Sequence, residues 1–135
     1  MKDCKGAAIL IYRRKNDEIE VLLGKRKYFP NIGSWGIPGG KMEDKDNNSF
    51  EQTAKRECFE ETGIEINNNL ILLDEIRDNK FIWNTYVAQV DENTTNIFKE
   101  EVLESAWFNV KSLPSPLVDL LEDQIIRAKS IILNK

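Results

Sequence analysis

Residues 56–64 read Arg-Glu-Cys-Phe-Glu-Glu-Thr-Gly-Ile, and they place three carboxylates, Glu57, Glu60 and Glu61, within about one helical turn of each other. Taking about 100° per residue with Glu57 as zero, Glu60 lies near about −60° and Glu61 near about +40°, while Phe50, Ala54 and Cys58 fall between about +20° and +100°. The acids therefore share the apolar side of the helix, and at least Glu57 and Glu61 are expected to point towards the domain. Repulsion at i+3 and i+4 costs roughly 0.2–0.5 kcal/mol per pair, and carboxylates near the negative end of a helix dipole cost roughly 0.3–1 kcal/mol each. Something positive must sit there. Arg56 can relieve one charge, but one guanidinium does not neutralise three carboxylates, whereas a hard divalent cation such as Mg²⁺ (or Mn²⁺) takes oxygen ligands and suits this cluster. The chain has no histidine, which excludes Ser-His-Asp and Cys-His catalysis and every metal site built on imidazole.

Ahead of this segment stands Trp35-Gly36-Ile37-Pro38-Gly39-Gly40-Lys41-Met42-Glu43. Glycines beside an acid-bearing helix let backbone approach the same ion. Together the two segments resemble the Nudix hydrolase family, whose box reads G-x5-E-x7-R-E-U-x-E-E-x-G-U with U apolar. The second half matches without a gap, with Cys58 and Ile64 as U. The resemblance implies a sandwich of a mixed β-sheet between helices in a single domain over residues 1–135, and hydrolysis of a nucleoside diphosphate linked to another moiety. It makes Glu60 and Glu61 the core metal ligands and gives Gly40 a carbonyl role. Glu57 becomes either a further ligand or the base that deprotonates water, and Arg56 orients a glutamate. A further acidic ligand from a loop before a later strand is expected at Glu101, with Glu100 and Glu104 as rivals.

The first half of the box departs from the pattern. From Gly40 to Arg56 the spacing is two residues too long, and eight positions before Arg56, where the pattern has glutamate, stands Asn48. The loop of residues 44–48 is read as holding the insertion, with Asp46 or Glu51 as substitutes for the missing acid. For the substrate, Arg26, Trp35 and Lys41 are the candidate contacts; Lys25 and Arg26 alternate faces on a strand, and Arg26 is the one expected to face inward. Phe29, Trp35 and Trp83 are aromatics able to stack on a base.

These residues need elements to hold them. Apolar residues 6–12 and 19–23 around Asn16-Asp17 predict a hairpin, and residues 70–76 and 81–90 around Asp78-Asn79 predict a second antiparallel one. In the latter, Trp83, Thr85 and Val87 face one way and Ile82, Tyr86 and Ala88 the other. Residues 105–110 predict a further strand. Ser49-x-x-Gln52 is a capping box that starts the acid-bearing helix, and Gly63 ends it. Ser115-Pro116 predicts the start of a terminal helix, with Val118, Leu121, Ile125, Ala128 and Ile132 along its buried face. The class is α+β, an α/β/α sandwich.

Composition bounds the rest. A chain of 135 residues with 41% hydrophobic and 31% charged content has the material for one folded core. A net charge of −4 argues against long nucleic acid as a partner, since that needs a basic surface. Cys4 and Cys58 read as two reduced thiols of a cytoplasmic protein. The first apolar run is too short for a signal, and no stretch reaches the roughly 18 apolar residues of a membrane span. The sequence thus predicts a Mg²⁺-dependent hydrolase of a small-molecule nucleotide, as a monomer or a homodimer. The alternatives are a module that binds a nucleotide or a partner with little turnover, and an enzyme acting on a capped RNA end or a non-nucleotide diphosphate.

Overall fold

The computed structural model describes residues 4–28, 31–95 and 102–134. Strand β1 (Cys4–Lys15) turns at Asn16-Asp17 into β2 (Glu18–Arg26), with pairs from Tyr12↔Val21 to Lys15↔Glu18. Both turn residues have positive φ, 53° and 66°, the mirror-image geometry that matches the strand twist of a tight hairpin. β3 (Trp35–Gly36) and β4 (Gly39–Lys41) are short, α1 spans Phe50–Thr62, β5 is Ile71–Arg77, β6 Phe81–Gln89 and β7 Val102–Asn109, and α2 spans Leu121–Leu133. β1 is central, antiparallel to β2 and parallel to β6, while β5 pairs with β6 and β7 with β2, both antiparallel. This is the mixed sheet the sequence implied.

The sheet forks. The β1–β2 ladder ends at Tyr12↔Val21. Beyond it β1 pairs through residues 6–8 with β4, and β2 pairs through Gly24 and Lys25 with β3. The two strands splay, and residues 36–39 cross the opening between them.

Alternate residues of β1 serve opposite cores. Leu10 and Tyr12 pack with Val21, Leu23, Val87 and the α2 residues Leu121, Ile125, Ala128 and Ile132. Ile9 and Ile11 pack with Leu22, Tyr86, Ala88 and the α1 residues Ala54 and Cys58. A strand covered on both faces must be apolar throughout, and Ala7 to Tyr12 are all buried. Val87 lies on the α2 face and Tyr86 and Ala88 on the α1 face, as the alternation required. Both cysteines are free thiols.

The terminal helix starts later than its sequence signal. Trp35 donates its amide to Pro116 O (2.8 Å) and accepts from the Val118 amide (2.9 Å), in a parallel bridge beside Leu117. Those backbone groups are committed to β3, so residues 116–118 are extended and helix begins only at Leu121. Val118 packs against the same core from outside the helix.

Ser49 caps α1, its Oγ accepting from the Gln52 amide at 3.2 Å. The expected return bond does not form, because the Ser49 amide donates to Asp46 O (3.0 Å). At the other end Gly63 has φ 77° and donates its amide to Phe59 O, a left-handed cap that a Cβ disfavours by about 1–2 kcal/mol. Gly63→Ala should lower unfolding stability by about that amount in denaturant titration, with no change in the m-value.

Candidate active site

The last two turns of α1 lie across β4. Glu61 Oε2 accepts the Gly39 amide at 2.9 Å. Glu57 lies against Gly40 so closely that a Cβ there would stand 2.5 Å from its carboxyl carbon, and any larger residue would have to displace that carboxylate. The Gly40 carbonyl oxygen is on the β1 side, 2.8 Å from where a Cβ of Gly6 would be. Glu57 and Glu61 thus face the domain, as their helical angles required, while the Glu60 side chain is 45% exposed.

Arg56 organises these acids. Its Nη1 donates to Glu57 Oε1 (2.9 Å) and to Glu60 Oε1 (3.0 Å). Its Nη2 donates to Lys41 O (2.9 Å) and Asp46 Oδ2 (3.0 Å), and its Nε to Asp46 Oδ1 (2.8 Å). Glu43 adds an ion pair at 3.3 Å and Lys45 approaches Glu60 at 3.8 Å. Of the two acids offered as substitutes, Asp46 is the one paired with Arg56. It lies in a 3₁₀ turn, Asp44–Asp46, is 2% exposed, and also accepts from the Thr53 hydroxyl and the Glu43 amide, both at 2.9 Å. The Arg56 guanidinium holds its carboxyl at about 2, below the usual 3.8, against the opposing effect of burial. Arg56 is raised in turn by Asp46. Sequence reasoning placed the missing acid by counting back from Arg56; counting forward from Gly40 by the G-x5-E spacing reaches Asp46.

The fork opens a pocket of about 340 Å³ onto this helix face. Its lining includes Glu57 and Glu61 from α1, Gly39, Arg26 at the end of β2, Lys27 and Ser105. Tyr28 is also in the lining; it is 58% exposed with Lys27 Nζ 5.7 Å from its ring centre. Arg26 is in the pocket wall, while Lys25 turns away to Glu104 (3.9 Å) and the Trp35 ring. Two of the expected substrate contacts lie elsewhere. Trp35 is 7% exposed in the α2-side core, edge-on to Phe108 at 4.9 Å, because β3 turns it to that face of the sheet. Lys41 is exposed at the end of β4, outside the pocket lining, and contributes its carbonyl to Arg56. Trp83 packs its ring onto Gly6. Glu100, Glu101 and Phe29 lie outside the described residues, and Glu104 is 57% exposed beside Lys25.

The donors fit a hard divalent cation in kind. Carboxylate oxygens of Glu57, Glu60 and Glu61 are the ligands such an ion prefers, and the bare backbone of Gly40 meets one of them. Among the described residues, no three acidic or cysteine side chains are gathered tightly enough to hold an ion by themselves.

The family model for the NUDIX domain matches residues 3–129. The chain belongs to the NUDIX domain family. Its similarity to the 8-oxo-dGDP phosphatase NUDT18 of Homo sapiens is 30% identity over 76% of the chain and 32% of the relative. With the NAD-capped RNA hydrolase NudC of Haemophilus influenzae it is 28% identity over 92% of the chain and 46% of the relative. The chain thus spans between about a third and a half of the length of these relatives. In fold it matches the NUDIX domain of Shewanella oneidensis NrtR complexed with ADP ribose, with TM-score 0.81 and 21% identity over 98% and 90% of the two chains. It also matches a MutT/nudix family protein from Enterococcus faecalis, with TM-score 0.83 and 24% identity over 100% and 64%. The mixed sheet with its two helices is therefore the Nudix sandwich, and the carboxylate end of α1 carries the second half of the box pattern.

The Asp46 carboxyl titrates lower in the folded chain than in the unfolded one. Its pairing thus stabilises the fold fully above about pH 4 and loses that effect as pH falls towards about 2, a difference of about 2 kcal/mol. Acid titration of the native chain should show this slope between pH 4 and 2, and Asp46→Asn should lack it while being less stable at pH 7 by about 3–5 kcal/mol.

Proposed function

We propose that this chain is a divalent-cation-dependent Nudix pyrophosphohydrolase acting on a nucleoside di- or triphosphate or a related nucleoside-diphosphate-linked small molecule in the cytoplasm. The observation that carries this reading is the pocket itself, which Glu57 and Glu61 line together with Arg26 and Lys27. A diphosphate in this pocket has within the same lining both cations and carboxylates able to bind Mg²⁺ or Mn²⁺. The relatives' names, an 8-oxo-dGDP phosphatase and an NAD-capped RNA hydrolase, support a nucleotide-linked diphosphate as substrate.

Glu57, Glu60 and Glu61 are the residues that would hold the cation; the Gly40 carbonyl, expected to join them, is turned to β1. When bound, the cation supplies neutralisation of phosphoryl charge and a lowered pKa for water. Glu57 is the general base: its carboxylate accepts the proton of the water that attacks phosphorus. Arg56 holds the Glu57 oxygen at 2.9 Å and keeps that carboxylate in one direction. Arg26 and Lys27 draw the anionic substrate in and orient it, and Tyr28 in the same lining offers a face for a base.

A second reading is a Nudix module that binds a nucleotide without turnover. It is favoured by likeness to the NrtR domain complexed with ADP ribose and by Arg56 taking one oxygen each of Glu57 and Glu60.

A nucleotide panel incubated with Mg²⁺ and with Mn²⁺ should release pyrophosphate, phosphate or a nucleoside monophosphate. Glu60→Gln should lower kcat by at least about 100-fold. Ligand-induced stabilisation with no product from any nucleotide would select the binding module instead.

A further inference from the structure

We propose that Gly24 and Gly36 form a platform on which the base of the substrate lies flat, and that the pair selects a two-ring, purine-type base over a single-ring one. For the ligand's being a nucleotide this rests on the hydrolase reading; the reason for the two glycines stands on the strand geometry.

The other five of the seven glycines have a local cause. Gly33 and Gly63 have positive φ, 84° and 77°. A Cβ at Gly39 or Gly40 would stand 2.7 Å from Ala8 Cβ or 2.5 Å from the Glu57 carboxyl carbon, and the Trp83 ring covers Gly6. Gly24 and Gly36 answer to neither cause. Neither has positive φ. A Cβ on Gly36 would meet Val118 Cγ1 at 3.4 Å, an ordinary contact, and one on Gly24 would meet Val102 Cγ1 at 3.0 Å, which asks only that the first residue of β7 give slightly. Glycine inside a strand weakens it, and its presence there often marks the close approach of a ligand.

Both glycines line the pocket. They stand directly opposite each other across β2 and β3, with Ser105 opposite Gly24 on the β7 side. Leu22 packs in the α1-side core, so Gly24, two residues on, faces the same side. Hydrogen bonds between antiparallel strands run across the strands within the sheet. The strip over Gly24 and Gly36 therefore presents no side chain, no charge and no outward donor, and the apolar Ile37, Pro38 and Val102 share its lining. Such a surface suits the flat face of a ring and gives a phosphate nothing to bind, whereas Arg26, Lys27, Glu57 and Glu61 suit the diphosphate. Paired strands lie about 4.8 Å apart, so one bare residue admits one ring and two side by side admit two fused rings.

The test uses the whole chain with Mg²⁺ and the non-hydrolysable methylene analogues of ADP and CDP, with affinity read by calorimetry and folding by thermal melting. The native chain should bind the ADP analogue at least about 10-fold more tightly than the CDP analogue, the discrimination that one apolar group in a fitted pocket provides. Gly36→Ala should melt at or above the native temperature, since it removes a strand glycine without a clash, and should still lose about 10-fold in affinity for the ADP analogue. The CDP analogue, whose single ring can keep to Gly24, should change by less than about threefold. Gly24→Ala should lose the same preference, and Gly24→Ala with Val102→Ala should regain any lost melting temperature without regaining the preference. Equal native affinity for the two analogues, or binding of neither, would overturn the proposal. So would Gly36→Ala with unchanged or evenly weakened binding, or recovery of the preference together with stability in the Gly24→Ala, Val102→Ala pair. The two readings fail separately: nucleotide hydrolysis with no purine preference removes the platform and leaves the enzyme, and purine-selective binding with no product in Mg²⁺ or Mn²⁺ removes the enzyme and leaves the platform.

Discussion

Like charges cannot be packed on one end of a helix unless a cation is brought to them, and in this chain the first cation is built in. Arg56 reaches Glu57 and Glu60 through one nitrogen and Asp46 through two others. The fold around it serves that geometry. β4 is glycine where Glu57 and Glu61 descend on it, and the 3₁₀ turn before α1 buries an aspartate whose acceptors are saturated. A buried Arg–Asp pair adds little stability relative to a well-packed apolar pair, and removing one partner costs far more. Its presence here is better explained by the carboxylates it directs than by the stability it adds.

The second constraint is the fork in the sheet. β1 must pair with β6 on one edge and remain buried on both faces, while β2 carries β7 on its far edge. Where β1 and β2 part, the short β3 and β4 satisfy the exposed backbone of each, and the space between becomes the pocket. Acidic residues enter it from α1 and basic ones from the end of β2 and just beyond, so the two charges of the site come from different elements.

Much of this was legible in the residues. Local signals suffice for the two hairpins, the Ser49 and Gly63 caps and the inward turn of Glu57 and Glu61, since each depends on neighbours within one or two turns. The start of α2 was not, because a proline after serine is a good helix opening unless a distant strand claims its carbonyl, as Trp35 does. Trp35 was misplaced for a related reason. An aromatic beside glycines can face a pocket or a core, and only the pairing of β3 with β2 decides which. Asp46 was half visible. The pattern has two anchors, and an insertion between them makes the count from one end point to Asn48 and from the other to Asp46.

The parallel bridge at Trp35 ties distant parts of the chain together. The segment leading into α2 is hydrogen-bonded to the same two-residue strand whose Gly36, with Ile37 beyond it, forms part of the pocket wall. Seating of the C-terminal helix and the shape of the cleft are therefore mechanically linked. Loosening that helix, even by substitutions far from any carboxylate, transmits displacement to the wall against which a bound molecule would rest.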